Sequence, residues 1–107
     1  MTKEEKIKLI CRNCQEILTE SDLDHLIESG TPLSHYIGFE ISGMVHLGTG
    51  FSSMGKVADF LQAGVKCRVF LADFHSYLNN KLGGNWKDIR WATENCFKEA
   101  MIASLKC

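Results

Sequence analysis

The stretch SHYIGFEISGMVHLGTGFSSMGKVADFLQAGVKCRVFLA, residues 34–72, decides the fold. Its first seven residues, 34–40, are rich in aromatic and β-branched side chains, which favour a strand. A glycine-bearing loop follows over residues 41–50, and apolar spacing then predicts a helix over 52–63, ended by Gly64. Residues 67–72 are largely apolar, which is typical of a parallel strand buried on both faces. This order has the spacing of a right-handed βαβ crossover and predicts the beginning of an open α/β sheet.

Helical patterns flank this unit on both sides. Residues 3–15 predict an amphipathic helix, and Thr19 and Gly30 are placed to begin and end a second one. Asn85 is placed to cap a last helix. The apolar face of that helix is expected at Ile89, Ala92, Cys96, Ala100 and Met101. We expect one α/β domain over residues 1–107: a helical N-terminal segment (1–33), the strand–loop–helix–strand unit with the HLG motif (34–82) and a C-terminal helix (85–107).

The composition is close to that of ordinary globular domains. The chain has 107 residues, 45% of them hydrophobic, and its twelve Lys and Arg against thirteen Asp and Glu give a net charge of −1. No basic excess draws the whole chain onto nucleic acid or an anionic membrane. No apolar run reaches the ~18 residues of a membrane span. The charged first residues also exclude a secretory signal, so we expect a cytoplasmic protein.

The five cysteines do not predict a disulfide framework, because their number is odd. Cys11 and Cys14 form a C-x-x-C pair, which suits half of a zinc site or a redox pair. No second pair of that kind follows, and the pair lies after a helical stretch rather than after a strand. We therefore interpret it as incidental and expect no protein-bound metal.

Polar side chains follow both predicted strands. Ligands on open α/β sheets bind outside the carboxyl ends of the strands, and the loop HLGTG (46–50) and the segment DFH (73–75) both lie there. An imidazole and a hydroxyl at the start of a helix can donate hydrogen bonds to phosphate, and glycines admit a ligand close to the backbone. The loop is neither a Walker loop nor a G-x-G-x-x-G fingerprint. On these residues alone, a tight turn with a surface histidine remains the alternative.

Longer motifs around these two segments are more specific than the segments themselves. The stretch YIGFEISGMVHLG, residues 36–48, resembles the archaeal and eukaryotic type of tyrosyl-tRNA synthetase. Members of that family carry Y-x-G-F-E-P-S-G-x-x-H-L-G at the first strand of a class I catalytic domain. RNCQE (12–16) resembles the family's R-N-x-x-E, and QAG (62–64) with FLADFHSYLN (70–79) resembles its Q-x-A-G and L-L-A-D-x-H-A-Y-L-N. The resemblance covers residues 7–105.

The resemblance implies the N-terminal half of a Rossmann-like class I synthetase catalytic domain, with parallel strands and flanking helices. It implies ATP-dependent activation of L-tyrosine to tyrosyl-adenylate and transfer to tRNA(Tyr), with Mg²⁺ expected beside ATP. From the composition we expect no membrane partner, and from the exposed edge and face of a half sheet we expect a homo-oligomer. The ATP-binding residues it implies are Gly43, His46, Gly48, Thr49 and Gly50. Of these, His46 and Thr49 would be catalytic. The tyrosine-binding residues it implies are Tyr36, Gly38, Glu40, Ala72 and His75.

The sequence departs from the family pattern in three ways. Ile41 stands where many members have proline, and Thr49 stands where the common signature ends in a second histidine, so a cationic side chain is lost there. The lysine-rich K-M-S-K-S loop, which clamps pyrophosphate, does not occur in the 107 residues. We expect an N-terminal piece of a synthetase, or a stand-alone remnant, with weak or no activity by itself.

Two other functions remain open at this point. The first is a non-catalytic binding or assembly protein derived from a synthetase half-domain, which the short chain and Thr49 suggest. A half sheet has an exposed apolar edge and face, which favour association. The second is a tryptophan-specific relative, which we discount because its signature loop usually lacks the pair at Phe39 and Glu40.

Overall fold

The computed structural model describes residues 1–43 and 45–105. Its two strands are β1 (Ser34–Glu40) and β2 (Lys66–Ala72). Its α-helices are α1 (Lys3–Cys11), α2 (Glu20–Glu28), α3 (Met54–Gln62), α4 (Asp73–Leu78), α5 (Trp86–Ala92) and α6 (Lys98–Leu105). A wide π-helical turn, Thr49–Ser53, leads into α3, another, Thr93–Phe97, joins α5 to α6, and a 3₁₀ turn covers Lys81–Gly84. Within the described ranges, no helix is long and apolar enough to cross a membrane.

The two strands pair in parallel, which confirms the predicted strand–helix–strand unit. The register runs from Ser34 opposite Lys66 to Glu40 opposite Ala72. One prediction is wrong: β2 is not buried on both faces, because exposed and half-buried residues alternate along it as they do along β1. One face of the sheet packs on the core. The other face carries Tyr36 and Phe70, and Tyr36 is 62% exposed.

The core lies between the covered sheet face and the helices that follow each strand. Its buried members are Ile41, Met54, Val57, Ile89, Ala92, Phe97 and Met101. Half-buried side chains of the strands pack against them, namely Ile37, Phe39, Cys67, Val69 and Leu71. Along the strands every second side chain is buried, and along the helices the buried side chains recur about every four residues. This spacing packs one layer of helices against one face of the sheet.

The caps that the sequence predicts are present. The Thr19 hydroxyl accepts the Asp22 N–H at 3.3 Å, and the Asn85 side chain accepts the Asp88 N–H at 3.2 Å. Each contact satisfies a backbone donor that a helix leaves without a partner at its first turn. The starts of α2 and α5 are thus set locally by sequence.

Two helical predictions are wrong in detail. Helix α1 ends at Cys11 rather than at Gln15, since Arg12 is extended and Asn13 has a positive φ of 59°. The last helix contains the π-helical turn, in which the Thr93 hydroxyl donates to the Ile89 carbonyl at 2.7 Å. The wider turn rotates the following residues, so Phe97 becomes buried where Cys96 was expected. Lys106 and Cys107, the predicted end of that helix, lie outside the described residues.

An ionic cluster attaches the N-terminal segment to α3. The Arg12 guanidinium donates two hydrogen bonds to the Asp59 carboxylate, at 2.7 and 3.0 Å, and Lys56 donates to the backbone carbonyls of Leu9 and Arg12. Arg12 therefore holds the pKa of the buried Asp59 below its usual value. The end of α1 is thereby fixed beside the helix that follows the HLG loop.

His35 lies on the covered face of β1 and has an unusual environment. Its ring contacts Phe60, with 4.6 Å between centroids, and its Nδ1 atom is buried with no hydrogen-bond partner in the described part of the chain. Burial lowers the pKa of His35, because the charged imidazolium would lose its hydration. Below an unfolded-state pKa of about 6.5, the unfolded chain therefore binds more protons than the folded one.

The free energy of unfolding is accordingly expected to fall as the pH decreases from about 7 to about 5, since the stability that neutral His35 contributes is lost on acidification. Urea denaturation at several pH values measures this slope. The variant His35→Phe keeps a ring against Phe60 and is expected to have a smaller slope over the same interval. An equal slope in the variant would assign the pH dependence to other groups.

Candidate active site at the carboxyl ends of the strands

A buried serine joins the end of β1 to the start of α4. Ser76 is 0% exposed, and its hydroxyl accepts the Ile41 N–H at 2.6 Å while it donates to the Ala72 carbonyl at 2.6 Å. Ile41 is also 0% exposed, so its N–H has no access to water. The contact fixes the first residue of the signature loop against the helix that follows β2.

His46 is exposed at the far end of that loop, and its ring orientation is set locally. Its Nδ1 atom accepts the Thr49 N–H at 3.4 Å, and its carbonyl accepts the Gly50 N–H at 3.2 Å. Since Nδ1 accepts, the proton of the neutral ring is on Nε2. His46 therefore presents an N–H donor outward, which suits a phosphate oxygen.

Gly48 lies close to that ring. A Cβ at this position would lie 3.0 Å from Cε1 and 3.1 Å from Nδ1 of His46. Such distances are tighter than ordinary carbon contacts, so a larger residue would shift the imidazole by a few tenths of an ångström. The H-L-G motif thus has a physical reason in this chain: the glycine leaves room for the histidine ring.

The other predicted ATP-binding residues lie in the same segment. Gly43 has a φ of 146° in a bend near the start of the loop, a conformation that favours glycine. Thr49 and Gly50 are half-buried and begin the wide turn that leads into α3. A cleft of about 370 Å³ opens beside them, lined by Val45, His46, Leu47, Gly50, Phe51, Ala103 and Ser104.

Tyr36 and Gly38 lie on the open sheet face. The Tyr36 ring extends over Gly38, since a Cβ there would be 3.1 Å from the Tyr36 hydroxyl. The Phe70 ring on β2 lies beside Tyr36, with 6.3 Å between centroids. The three residues form an aromatic surface on which a ring of a ligand can lie.

Glu40, Ala72 and His75 meet at the ends of the strands. Glu40 is opposite Ala72 in the register, and both are half-buried. The Asn79 amide nitrogen lies 3.0 Å from Glu40 Oε1 and 3.0 Å from His75 Nε2. One side chain therefore connects two of the predicted tyrosine-binding residues.

Asp73 has a different partner. Its carboxylate forms an ion pair with Arg90 on α5, and Arg90 also contacts Glu94 at 2.7 Å. The hydrogen bond with Asp73 raises the pKa of Arg90. Asp73 therefore joins α4 to α5. Of these two carboxylates, Glu40 is the one we assign to ligand binding at the strand ends.

The structure thus places five of the ten predicted site residues in the loop after β1, two on the open face of β1 and three at the ends of the strands. Phe70, Ser76 and Asn79 were not predicted. The signal for Asn79 was its position one helical turn after His75, which puts both on one face of a helix. Ser76 gave no local signal, because its partner Ile41 is 35 residues away.

A second cleft and the C-x-x-C pair are weaker candidates for a functional site. A larger cleft of about 530 Å³ lies between the end of α1 and the start of α3, but its cations Arg12 and Lys56 are both bonded to Asp59. At the C-x-x-C pair, burial raises the pKa of the Cys11 thiol, which disfavours a reactive thiolate. Within residues 1–43 and 45–105, no cluster of three or more His, Cys, Asp or Glu is arranged to hold a metal ion.

Comparison with known proteins shows the family of this chain. The model of the family described as tRNA synthetases class I (W and Y) matches residues 28–106. The tyrosine–tRNA ligase of Thermococcus kodakarensis is 53% identical over 99% of this chain, and that of Pyrococcus furiosus is 51% identical over 99%. The chain spans 28% of the length of each of these relatives.

Solved structures agree as well. The tyrosyl-tRNA synthetase of Pyrococcus horikoshii complexed with L-tyrosine matches with a TM-score of 0.93 and 50% identity over 99% of this chain and 29% of that one. The Archaeoglobus fulgidus enzyme with L-tyrosine matches with a TM-score of 0.85 and 38% identity, covering 96% and 31%. The chain belongs to the class I tRNA synthetases of the tryptophan and tyrosine family. The relatives named here are all tyrosine enzymes, as the sequence resemblance predicted.

Proposed function

We propose that the protein carrying this chain is a tyrosine–tRNA ligase, which activates L-tyrosine with ATP to tyrosyl-adenylate and transfers it to tRNA(Tyr). The observation that carries the proposal is the junction of Glu40, Asn79 and His75 at the strand ends. Support comes also from the likeness to a synthetase whose solved structure holds L-tyrosine. We further propose a cytoplasmic location.

The ATP half of the site is assigned to the loop. The Nε2–H of His46 donates to a phosphate oxygen as negative charge grows during attack on the α-phosphorus. The Thr49 hydroxyl donates a second hydrogen bond, and Gly43, Gly48 and Gly50 let the nucleotide approach the backbone. Mg²⁺ would come with ATP and would be held chiefly by its phosphates.

The tyrosine half is assigned to the strand ends. Tyr36 contacts the substrate ring and phenol, and Gly38 leaves space for both rings. Glu40 lines the amino-acid and adenylate site, and Ala72 and His75 line the pocket from β2 and α4. Without a K-M-S-K-S loop in its 107 residues, the chain alone is expected to bind substrates weakly and to give little aminoacylation.

Binding of amino acids to the native protein tests this function. Equilibrium dialysis with radiolabelled L-tyrosine should give saturable binding, and excess L-tryptophan should compete poorly. Saturable binding of L-tryptophan with no binding of L-tyrosine would overturn the tyrosine assignment while leaving the class I fold intact.

We also propose that the chain self-associates, as a homo-oligomer. Its exposed large apolar side chains include Leu47, Phe51, Phe74, Leu78 and Trp91, and Trp91 is 65% exposed. Association is also the property on which the alternative function, a non-catalytic assembly protein, depends. Sedimentation velocity is expected to give a dimer or a larger species, and a monomer at tens of micromolar would contradict this.

A further inference from the structure

We infer that Asn79 is a positioning residue, which fixes the Glu40 carboxylate and selects the protonated nitrogen of His75 for a bound amino acid. The inference rests on the proposed tyrosine-binding role of those two side chains. It extends the site to a residue that contacts both of them.

The geometry connects two elements through one amide. Asn79 follows the last residue of α4, so its side chain lies on the same helical face as His75, four positions earlier. Its contact with Glu40 spans 39 positions and reaches back to the end of β1. Asn79 therefore joins the end of one strand to the helix that follows the other.

The chemistry of the partners fixes the orientation of the amide. An ionised carboxylate only accepts hydrogen bonds, so the group that faces Glu40 at 3.0 Å must be the NH₂ and not the carbonyl. The same nitrogen lies 3.0 Å from His75 Nε2, so Nε2 must accept the second amide hydrogen. The proton of neutral His75 is consequently on Nδ1, whereas a free imidazole side chain in water favours Nε2.

This arrangement decides what a ligand meets. His75 offers its Nδ1–H as a donor, and Glu40 keeps its second oxygen, for which the structure gives no partner in the described residues, as an acceptor. A polar group of the ligand that both donates and accepts hydrogen bonds matches that pair. Loss of the Asn79 amide would free the Glu40 side chain to rotate and would release the His75 tautomer.

The tautomer is measured directly on this chain. Long-range ¹H–¹⁵N correlation spectra of the ¹⁵N-labelled chain at about pH 8.5, well above the usual histidine pKa, distinguish Nδ1–H from Nε2–H at His75. We expect Nδ1–H in the original chain, mainly Nε2–H in Asn79→Ala and Nε2–H in Asn79→Asp, where the new carboxylate can accept that proton. Asn95→Asp changes the net charge equally, away from α4, and should keep Nδ1–H. Nε2–H in the original chain, or no change in Asn79→Ala, would overturn the inference.

A kinetic measurement on the native protein tests the role toward substrate. Asn79→Asp is expected to raise the KM for tyrosine in ATP–pyrophosphate exchange roughly tenfold, with a smaller effect on the KM for ATP, and Asn79→Gln should restore part of the loss. An unchanged tyrosine KM in a tyrosine-dependent enzyme would overturn the role. If exchange proves independent of tyrosine, the proposed function fails, while the tautomer result still decides whether Asn79 positions His75.

Discussion

Replacing His46 with alanine is expected to lower the rate of tyrosine-dependent ATP–pyrophosphate exchange by the native protein about 10²- to 10³-fold, the usual cost of removing one preorganised donor. The physical reason is the fixed orientation of the ring. Thr49 donates to Nδ1, and Gly48 leaves space for the imidazole, so Nε2–H is directed outward before ATP binds. The loss should fall mainly on kcat if the contact strengthens in the transition state.

A matched variant separates this effect from a general loss of histidine. His25 is an exposed histidine on α2, away from the strand ends, and His25→Ala should leave exchange within about twofold. A decrease of less than about threefold in His46→Ala would contradict the assignment of His46 to the phosphates.

Replacing Ser76 with alanine is expected to lower the free energy of unfolding of this chain by about 1–3 kcal/mol. The substitution leaves the Ile41 N–H buried without an acceptor, and both residues are 0% exposed. Urea denaturation measures the change. Ser104→Ala is the control, because the Ser104 hydroxyl also bonds the carbonyl four residues earlier but accepts no buried N–H that the structure describes. The control should change stability by about 0.5 kcal/mol or less.

The same contact explains a departure from the family pattern. The family motifs that this sequence resembles have proline at the position of Ile41 and alanine at the position of Ser76, and proline has no N–H to satisfy. This chain has isoleucine at 41 and a serine hydroxyl that accepts its N–H. In an Ile41→Pro background, Ser76→Ala should therefore cost less than it does alone, which a double-mutant cycle measures. Strict additivity of the two changes would contradict the explanation.

Local patterns were sufficient for much of the fold. The bounds of β1, the parallel partner strand and the caps at Thr19 and Asn85 all follow from side chains within a few positions of one another. The exposure of one face of β2 did not follow, because an apolar run does not show which neighbours cover it. The π-helical turn at Thr93 was likewise missed, since it depends on how the hydroxyl competes for a helical carbonyl.

Some residues of the candidate site could likewise be predicted from local sequence, and others could not. The loop around His46 could be proposed from its motif, and the structure adds that a side chain at Gly48 would contact the His46 ring closely. Ser76 and Asn79 act through partners 35 and 39 positions away. Such contacts exist only after the strands pair, so no local pattern indicates these distant partners, and the spacing of Asn79 from His75 was the one local signal.

The amino-acid dependence of ATP–pyrophosphate exchange by the native protein tests the central claim most directly. Exchange measures adenylate formation alone, so it does not depend on tRNA. The site described here predicts exchange with L-tyrosine and little or none with L-tryptophan or L-phenylalanine. Exchange with another amino acid and none with L-tyrosine would contradict the assignment of the strand ends to tyrosine.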